Sequence, residues 1–149
     1  MVNMVSKALF STGKDDWETP NEVFNHFNNI FNFGLDVCAD ENNKKLDNYI
    51  SKEENGLIKD WDNKNWCNPP YSNGNQWKFV KKAYTESLKG KLTVLLIPAR
   101  TDTKAWHEFV MKADYIQFIK GRLKFIGGRS NAPFPSCIII FGLRYLNEK

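Results

Sequence analysis

At 149 residues and 17.3 kDa the chain has the size of one domain, able to bury roughly 70% of the surface its unfolded form exposes. Its 42% hydrophobic and 26% charged residues are those of an ordinary soluble globular protein. The longest apolar run, Leu92 to Pro98, is too short to span a bilayer, and no charged-then-apolar leader is visible, so the chain is expected to stay in the cell that makes it.

Thr19-Pro20-Asn21-Glu22 reads as a capping box with proline at the first helical position. The helix it opens carries Val23, Phe24, Phe27, Ile30 and Phe31 on one face. Phe33 to Cys38 is a short apolar stretch ending at Ala39-Asp40, expected to be a buried strand, and Asn42–Asn43 marks a loop. Asp60 to Cys67 alternates in character and predicts a second strand. After the Asn73–Asn75 loop, Gln76 to Lys89 places Trp77, Val80, Ala83, Tyr84 and Leu88 at helical spacing, with Gly90 as the stop. Leu92 to Ile97, closed by Pro98, has the continuous apolar character of a central strand covered on both faces. Thr103 to Lys112 predicts a helix with Trp106, Phe109 and Val110 inward. Three strands follow at Tyr115 to Phe118, Arg122 to Ile126 and Ser136 to Phe141, turning at Gly127-Gly128 and Pro133-Phe134-Pro135. Strands alternating with helices imply an α/β fold with a mostly parallel sheet, and the closing strands without helices between them imply an antiparallel edge. Ligands of such sheets sit outside the carboxyl ends of the strands. Asp36–Asp40, Asn68–Tyr71 and Pro98–Asp102 all fall there.

The most informative motif is Asn68-Pro69-Pro70-Tyr71, approached by Asn65-Trp66-Cys67. Two prolines can neither continue a helix nor donate to a sheet ladder, so the segment is a stiff turn at a strand end. It presents an amide oxygen, a backbone carbonyl of fixed direction and a large aromatic ring. That set can accept the two N–H bonds of an exocyclic amine and stack on the ring that carries it. Because the amine lone pair is delocalised into its ring, two acceptors would localise it for attack on a methyl donor. A rigid strand-to-helix turn with an Asx-type cap would look the same. Cys38, Cys67 and Cys137 are widely spaced and odd in number, and His26 and His107 lack partners at ligand spacing, so neither disulfides nor a metal site are expected.

Net charge is +4, unevenly spread. From Lys112 onward seven Lys/Arg face two Asp/Glu, so this part carries +5 and the first 111 residues −1. Lys120, Arg122, Lys124 and Arg129 form the densest cluster. By itself this reads as a solvated face; beside a base-binding motif it becomes a candidate phosphate contact.

Taken in order, Trp17-Glu18-Thr19-Pro20, Leu35-Asp36-Val37, Leu57 with Asp60-Trp61, Asn68-Pro69-Pro70-Tyr71-Ser72, Pro98-Ala99-Arg100-Thr101-Asp102-Thr103, Gly121-Arg122-Leu123-Lys124-Phe125 and Ala132-Pro133-Phe134-Pro135-Ser136 resemble the phage-type DNA N6-adenine methyltransferases, the phage Dam family, along nearly the whole chain. The resemblance implies a Rossmann-like S-adenosylmethionine-dependent methyltransferase fold, reduced in size, in one domain over 1–149 without a separate target-recognition domain. Specificity then falls to loops such as Ser72–Gln76 and Gly127–Ala132. It implies transfer of a methyl group from S-adenosylmethionine to N6 of an adenine rotated out of DNA, without a metal, in the cytoplasm of a bacterial host carrying a phage or prophage.

Roles implied by the resemblance pass to matching positions. Asn68 and the Pro69 carbonyl accept the N6–H bonds, with Pro70 completing the turn, and Tyr71 stacks on the adenine. Trp17, Thr19, Pro20, Asp36, Asp40 and Asp60 are the expected cofactor residues, Thr19 meeting the cofactor carboxylate at a helix start. Asp40 read without the resemblance is a solvated side chain, and Asp60 a turn residue. No glycine lies between Asp36 and Gly56, where commoner cofactor turns are glycine-rich, and the spacing from Asp36 to Asn68 is short. The residue holding the ribose is thus unassigned. Ser72, Arg100, Thr101, Asp102, Arg122, Lys124 and Phe134 are expected on the substrate side. Phe134 equally suits a core aromatic, and Arg100 and Asp102 an ion pair or helix cap. Within the same chemistry, cytosine N4, RNA or a protein glutamine stand as alternative acceptors. An inactive nucleic-acid-binding module is the alternative of another class.

Overall fold

The protein, seen in a computed structural model, is described over residues 17–148. Five strands form one sheet: β1 (Leu35–Asp36), β2 (Lys64–Cys67), β3 (Leu92–Pro98), β4 (Tyr115–Phe118) and β5 (Ser136–Phe141), in the order β1-β2-β3-β5-β4. The pairs β1–β2 and β2–β3 are parallel, and β3–β5 and β5–β4 are antiparallel. The helices are α1 (Asn21–Phe31), α2 (Asn75–Ser87) and α3 (Lys104–Glu108). A mixed α/β architecture with its parallel part first and an antiparallel edge is the arrangement the alternation of elements predicts.

Every residue of β3 and β5 is buried, because both faces of the sheet centre are covered. Leu95, Ile97, Cys137, Ile139 and Phe141 point into one layer with Val80 and Ala83 of α2 and Trp106 of α3. Val94, Leu96, Ile138 and Ile140 point into the other, where Phe24, Phe27 and Phe31 of α1 meet Trp66, Phe125 and Phe134. The continuous apolar runs in the sequence reflect this double covering.

The capping box at residues 19–22 does not form. Pro20 itself is the N-cap (φ −56°, ψ 137°) and no side chain caps the helix; its carbonyl accepts from the Val23 and Phe24 N–H groups at 3.1 and 3.3 Å. Proline before the first helical residue leaves Thr19 one position too early to cap, so its buried side chain turns elsewhere. Ile30 is 59% exposed and drops from the expected apolar face.

Arg122–Ile126 is not a strand. Its alternation arises because Leu123 and Phe125 turn into the aromatic layer, and its one ladder contact among the described residues is a bridge of Ile126 to Glu18. The expected 103–112 helix divides into α3, capped by Thr103 Oγ1 accepting from the Trp106 N–H at 3.1 Å, and a 3₁₀ turn at Val110–Lys112.

β1 is only two residues long, and its outer edge is sealed by irregular chain. Asp36 N–H donates to the Asn48 carbonyl at 3.0 Å, and Ile50 N–H donates to the Asp36 carbonyl at 2.9 Å. The 27 residues between β1 and β2 contain no helix, so this segment both caps the sheet and lines what lies above it.

Candidate active site

A pocket of about 440 Å³ opens at the carboxyl ends of β1 and β2. Its walls come from residues 17–19, from the turn after β1, from residues 51–57 of the sealing segment, and from Asn68 and Pro70 after β2. Two short parallel strands thus deliver Asp36 and Asn68 to one cavity.

Asp36 is 3% exposed. Its Oδ2 accepts from the Lys45 N–H at 3.0 Å and its Oδ1 from the Cys38 N–H at 3.5 Å. Burial nonetheless dominates and raises its pKa from 3.8 to about 6, the two N–H bonds and the Lys45 charge pulling the other way. The pocket therefore holds a carboxylate at neutral pH that is poorly compensated by the protein alone.

Gly56 supplies the closeness that a glycine-rich turn would otherwise provide. A Cβ at this position would lie 2.4 Å from the Val37 carbonyl oxygen, so the wall at residues 51–57 can meet the β1 turn only through glycine. The Gly56 carbonyl accepts from the Trp61 indole N–H at 2.8 Å, which anchors the contact in the core.

Asn68 is held from both ends of its amide. Nδ2 donates to the Trp17 carbonyl, and Oδ1 accepts from the Tyr71 hydroxyl at 2.6 Å. The same hydroxyl lies 3.1 Å from the Leu96 carbonyl of β3. Burial holds the phenol pKa well above its usual value, so the hydroxyl keeps its proton. The Tyr71 ring meets Phe134 edge-on (5.6 Å, 86°), and Trp17 meets both Phe134 (5.1 Å, 78°) and Phe125 (5.4 Å, 69°) in the same manner. The Arg100 guanidinium lies 5.9 Å from the Phe134 ring centre. These rings form a cluster on one flank of Asn68, with the pocket on the other.

Of the residues singled out in the sequence, Trp17, Thr19, Asp36, Asp40, Asn68 and Pro70 line the pocket. Pro20 and Pro69 are buried beside it, while Tyr71, Phe134 and Arg100 belong to the aromatic flank. Ser72 is half-buried where the chain leaves Tyr71. Thr101 and Asp102 are exposed after β3, and the Thr101 carbonyl meets His107 Nε2 at 2.9 Å. Arg122 and Lys124 are exposed on a loop pinned by Leu123 and Phe125. Asp60 is placed outside the pocket: its side chain is 89% exposed and pairs with Lys89 at 3.9 Å. Lys45, Gly56 and Phe79 line the pocket without having been singled out as site residues. Only Asn55-Gly56, a turn dipeptide with Asn55 at φ 63°, carried a local signal. Among the described residues no cluster of three or more His, Cys, Asp or Glu is placed to hold a metal, and no helix is long and apolar enough to cross a membrane.

The family described as DNA N-6-adenine-methyltransferase (Dam) matches residues 6–141. The chain belongs to this Dam family. It is 39% identical over 132 residues to the DNA N-6-adenine-methyltransferase of Haemophilus phage HP1, covering 85% of this chain and 75% of that protein. It is 33% identical, over an alignment of 157 positions, to the DNA N-6-adenine-methyltransferase of Escherichia phage T1, covering 91% of this chain and 65% of that protein. A shorter match, 35% identical over 65 residues, is to the putative methyltransferase YfdM of Escherichia coli strain K12. The Dam enzyme described here is accordingly an adenine-specific DNA methyltransferase of phage type. S-adenosylmethionine is the general methyl donor of such methyltransferases, and DNA is the substrate class.

Proposed function

We propose that the pocket between β1 and residues 51–57 holds S-adenosylmethionine and that the Asn68–Tyr71 turn receives the adenine to be methylated. The observation that carries this reading is the convergence of a buried carboxylate, Asp36, and a doubly held amide, Asn68, on one cavity. About 440 Å³ lies within the ~300–1,000 Å³ usual for small-molecule sites. Its residents suit the ligand: Asp36 for an ammonium, the start of α1 beside Thr19 for a carboxylate, and Leu57 and Phe79 for a flat base. When bound, S-adenosylmethionine supplies an electrophilic methyl group.

The chain's own part is positioning and electrostatics. Asn68 Oδ1 and the Pro69 carbonyl accept the two N6–H bonds, which raises electron density on the amine and stabilises positive charge forming there. Tyr71 stacks on the flipped adenine, and Phe134, in edge-on contact with the Tyr71 ring, supports that ring rather than forming an opposite wall, with Arg100 behind it. Because Tyr71 occupies one of the two lone pairs of Asn68 Oδ1 in the resting arrangement, its hydroxyl competes with the arriving base for that oxygen. Ser72, Thr101 and Asp102 face the incoming DNA, and the exposed Arg122 and Lys124 meet its phosphates. Asp40 lies at the pocket rim, its Oδ1 accepting from the Asn42 and Asn43 N–H groups at 2.8 and 2.9 Å. Target choice falls to the loops at 72–76 and 127–132.

Incubation with unmethylated DNA and S-adenosylmethionine, followed by nucleoside mass spectrometry, tests the reading. N6-methyladenine is expected from the native protein. Asn68→Ala should yield none while binding S-adenosylmethionine with nearly native affinity. Near-normal turnover by that variant would sink the proposed role of the amide.

A further inference from the structure

Of the charged residues lining the pocket, the reading above leaves Glu18, Lys45 and Lys52 without work, and Lys45 is the one with a buried side chain. Lys45 lies in the sealing segment, and its side chain is only 8% exposed. Its ammonium donates to Asn21 Oδ1 at 2.8 Å and lies 3.6 Å from Glu18 Oε2. Asn21 is the first residue of α1, so the ammonium is fixed at that helix's first turn. Asn21 and Glu22 have N–H groups with no partner inside the helix, since the earliest helical donors are Val23 and Phe24. Thr19 is buried at the same place and also lines the pocket. A lysine ammonium, a helix N-terminus and a hydroxyl therefore converge beside one end of the cavity, a setting for an anion that would compete with the Glu18 carboxylate for the ammonium.

The same residue reaches Asp36 through its backbone, the Lys45 N–H donating to Asp36 Oδ2. One residue thus ties together the anionic and cationic features of the pocket wall. Burying an ammonium is costly without close partners. Glu18 stands at ion-pair rather than hydrogen-bond distance, and Asn21 uses one of three N–H donors. The methionine part of S-adenosylmethionine carries an ammonium and a carboxylate on a single carbon, which requires opposite charges side by side in the protein.

We propose that Lys45 binds the α-carboxylate of the cofactor's methionine moiety, opposite Asp36, which takes the α-ammonium. This rests on the pocket being the S-adenosylmethionine site. Lys45 is then a binding residue of the reaction and not only a staple between the sealing segment and α1.

The test compares binding of S-adenosylmethionine with that of its decarboxylated form, which lacks only the carboxylate, by calorimetry on the full chain without DNA. The native protein should bind the decarboxylated ligand about 10–100-fold more weakly, the weight of charge-assisted hydrogen bonds. Lys45→Met should weaken S-adenosylmethionine by a similar factor and leave the decarboxylated ligand nearly unaffected. Equal weakening of both ligands means a staple and overturns the proposal, as does equal affinity of the native protein for the two. If Lys45→Met does not fold, Lys45→Arg keeps the charge but displaces it. That variant should narrow the ratio of the two affinities severalfold, and an unchanged ratio again overturns the proposal. Failure of the native protein to bind S-adenosylmethionine at all refutes the pocket assignment beneath it.

Discussion

Asp36→Asn should make the ligand-free protein more stable at neutral pH while abolishing its hold on the cofactor. Burial moves the Asp36 pKa from 3.8 to about 6. At ~1.4 kcal/mol for each tenfold change in protonation, the ionised group costs the fold about 3 kcal/mol near pH 7.5. The sign follows from the direction of the shift. The folded state holds this proton more tightly than the unfolded chain, so the associated stability is fully present below pH 3.8 and is lost as pH rises through 6. Asparagine removes the charge but can accept through only one of its two terminal atoms, so one of the bonds from Lys45 N–H or Cys38 N–H is forfeited, at ~1 kcal/mol. The variant should therefore gain about 1–2 kcal/mol over the native protein at pH 8 and lose about 1 kcal/mol relative to it at pH 4. Urea unfolding of both proteins across this range, without ligand, reads the difference. Taking the difference matters, because Glu86 and Asp114 change stability in the opposite sense. Burial pushes each of their carboxyls up, but the bonded Lys82 and Lys91 around Glu86 and Arg144 beside Asp114 outweigh it and hold both below the ordinary range. A stability difference that does not vary with pH, or a variant less stable than native at pH 8, refutes the reasoning. If Asp36 meets the cofactor ammonium as proposed, the native protein's affinity for S-adenosylmethionine should fall below pH ~6, where Asp36 loses its charge.

Gly56→Ala should destabilise the fold by about 1–3 kcal/mol, because its Cβ would collide with the Val37 carbonyl. Moving the wall at 51–57 outward should also weaken cofactor binding, and a melting temperature and affinity both at native level would show that the close contact is dispensable. Tyr71→Phe keeps the stacking ring but removes the hydroxyl that occupies Asn68 Oδ1. Relief from one competing hydrogen bond, ~1 kcal/mol, should favour engagement of the target base about fivefold. DNA carrying 2-aminopurine at the target position reports this by fluorescence, and equal or poorer engagement would mean that the hydroxyl orients Asn68 rather than blocking it.

Much of the architecture was legible because its causes are local. Leu92–Pro98 and Ser136–Phe141 are apolar throughout, and only strands covered on both faces require that. The two prolines after Asn68 force a turn whatever surrounds them. Where causes lie far along the chain, local pattern misleads. Arg122–Ile126 alternates like a strand, but no strand among the described residues pairs with it, and its inward residues fill the aromatic layer instead. Thr19-Pro20-Asn21-Glu22 has the composition of a capping box with its proline placed so that the carbonyl, not the threonine, starts the helix. The candidate site was half legible. Asp36 and Asn68 are marked by strand ends, whereas Gly56 and Lys45 acquire their places only when 27 irregular residues fold back over β1. Asp60, adjacent to the core residue Trp61, faces outward because the tryptophan takes the inward position.

The bond between Tyr71 and Asn68 bears on fidelity. With a phenol proton already on one lone pair of the amide oxygen, and Phe134 packed edge-on against the same ring, a nucleobase received as proposed above competes with the tyrosine for that oxygen. Where one donor displaces the other, the first contact would yield little net free energy, and commitment would depend on a second N–H and on stacking against the ring. Thymine and guanine present a carbonyl oxygen at the corresponding edge. They would set lone pair against lone pair once the phenol withdrew, and the exchange would run uphill. On the proposed reading the resting enzyme screens its own substrate: a base with an amino group at that edge meets the amide oxygen as a donor, as the tyrosine does, and a base with a carbonyl there does not.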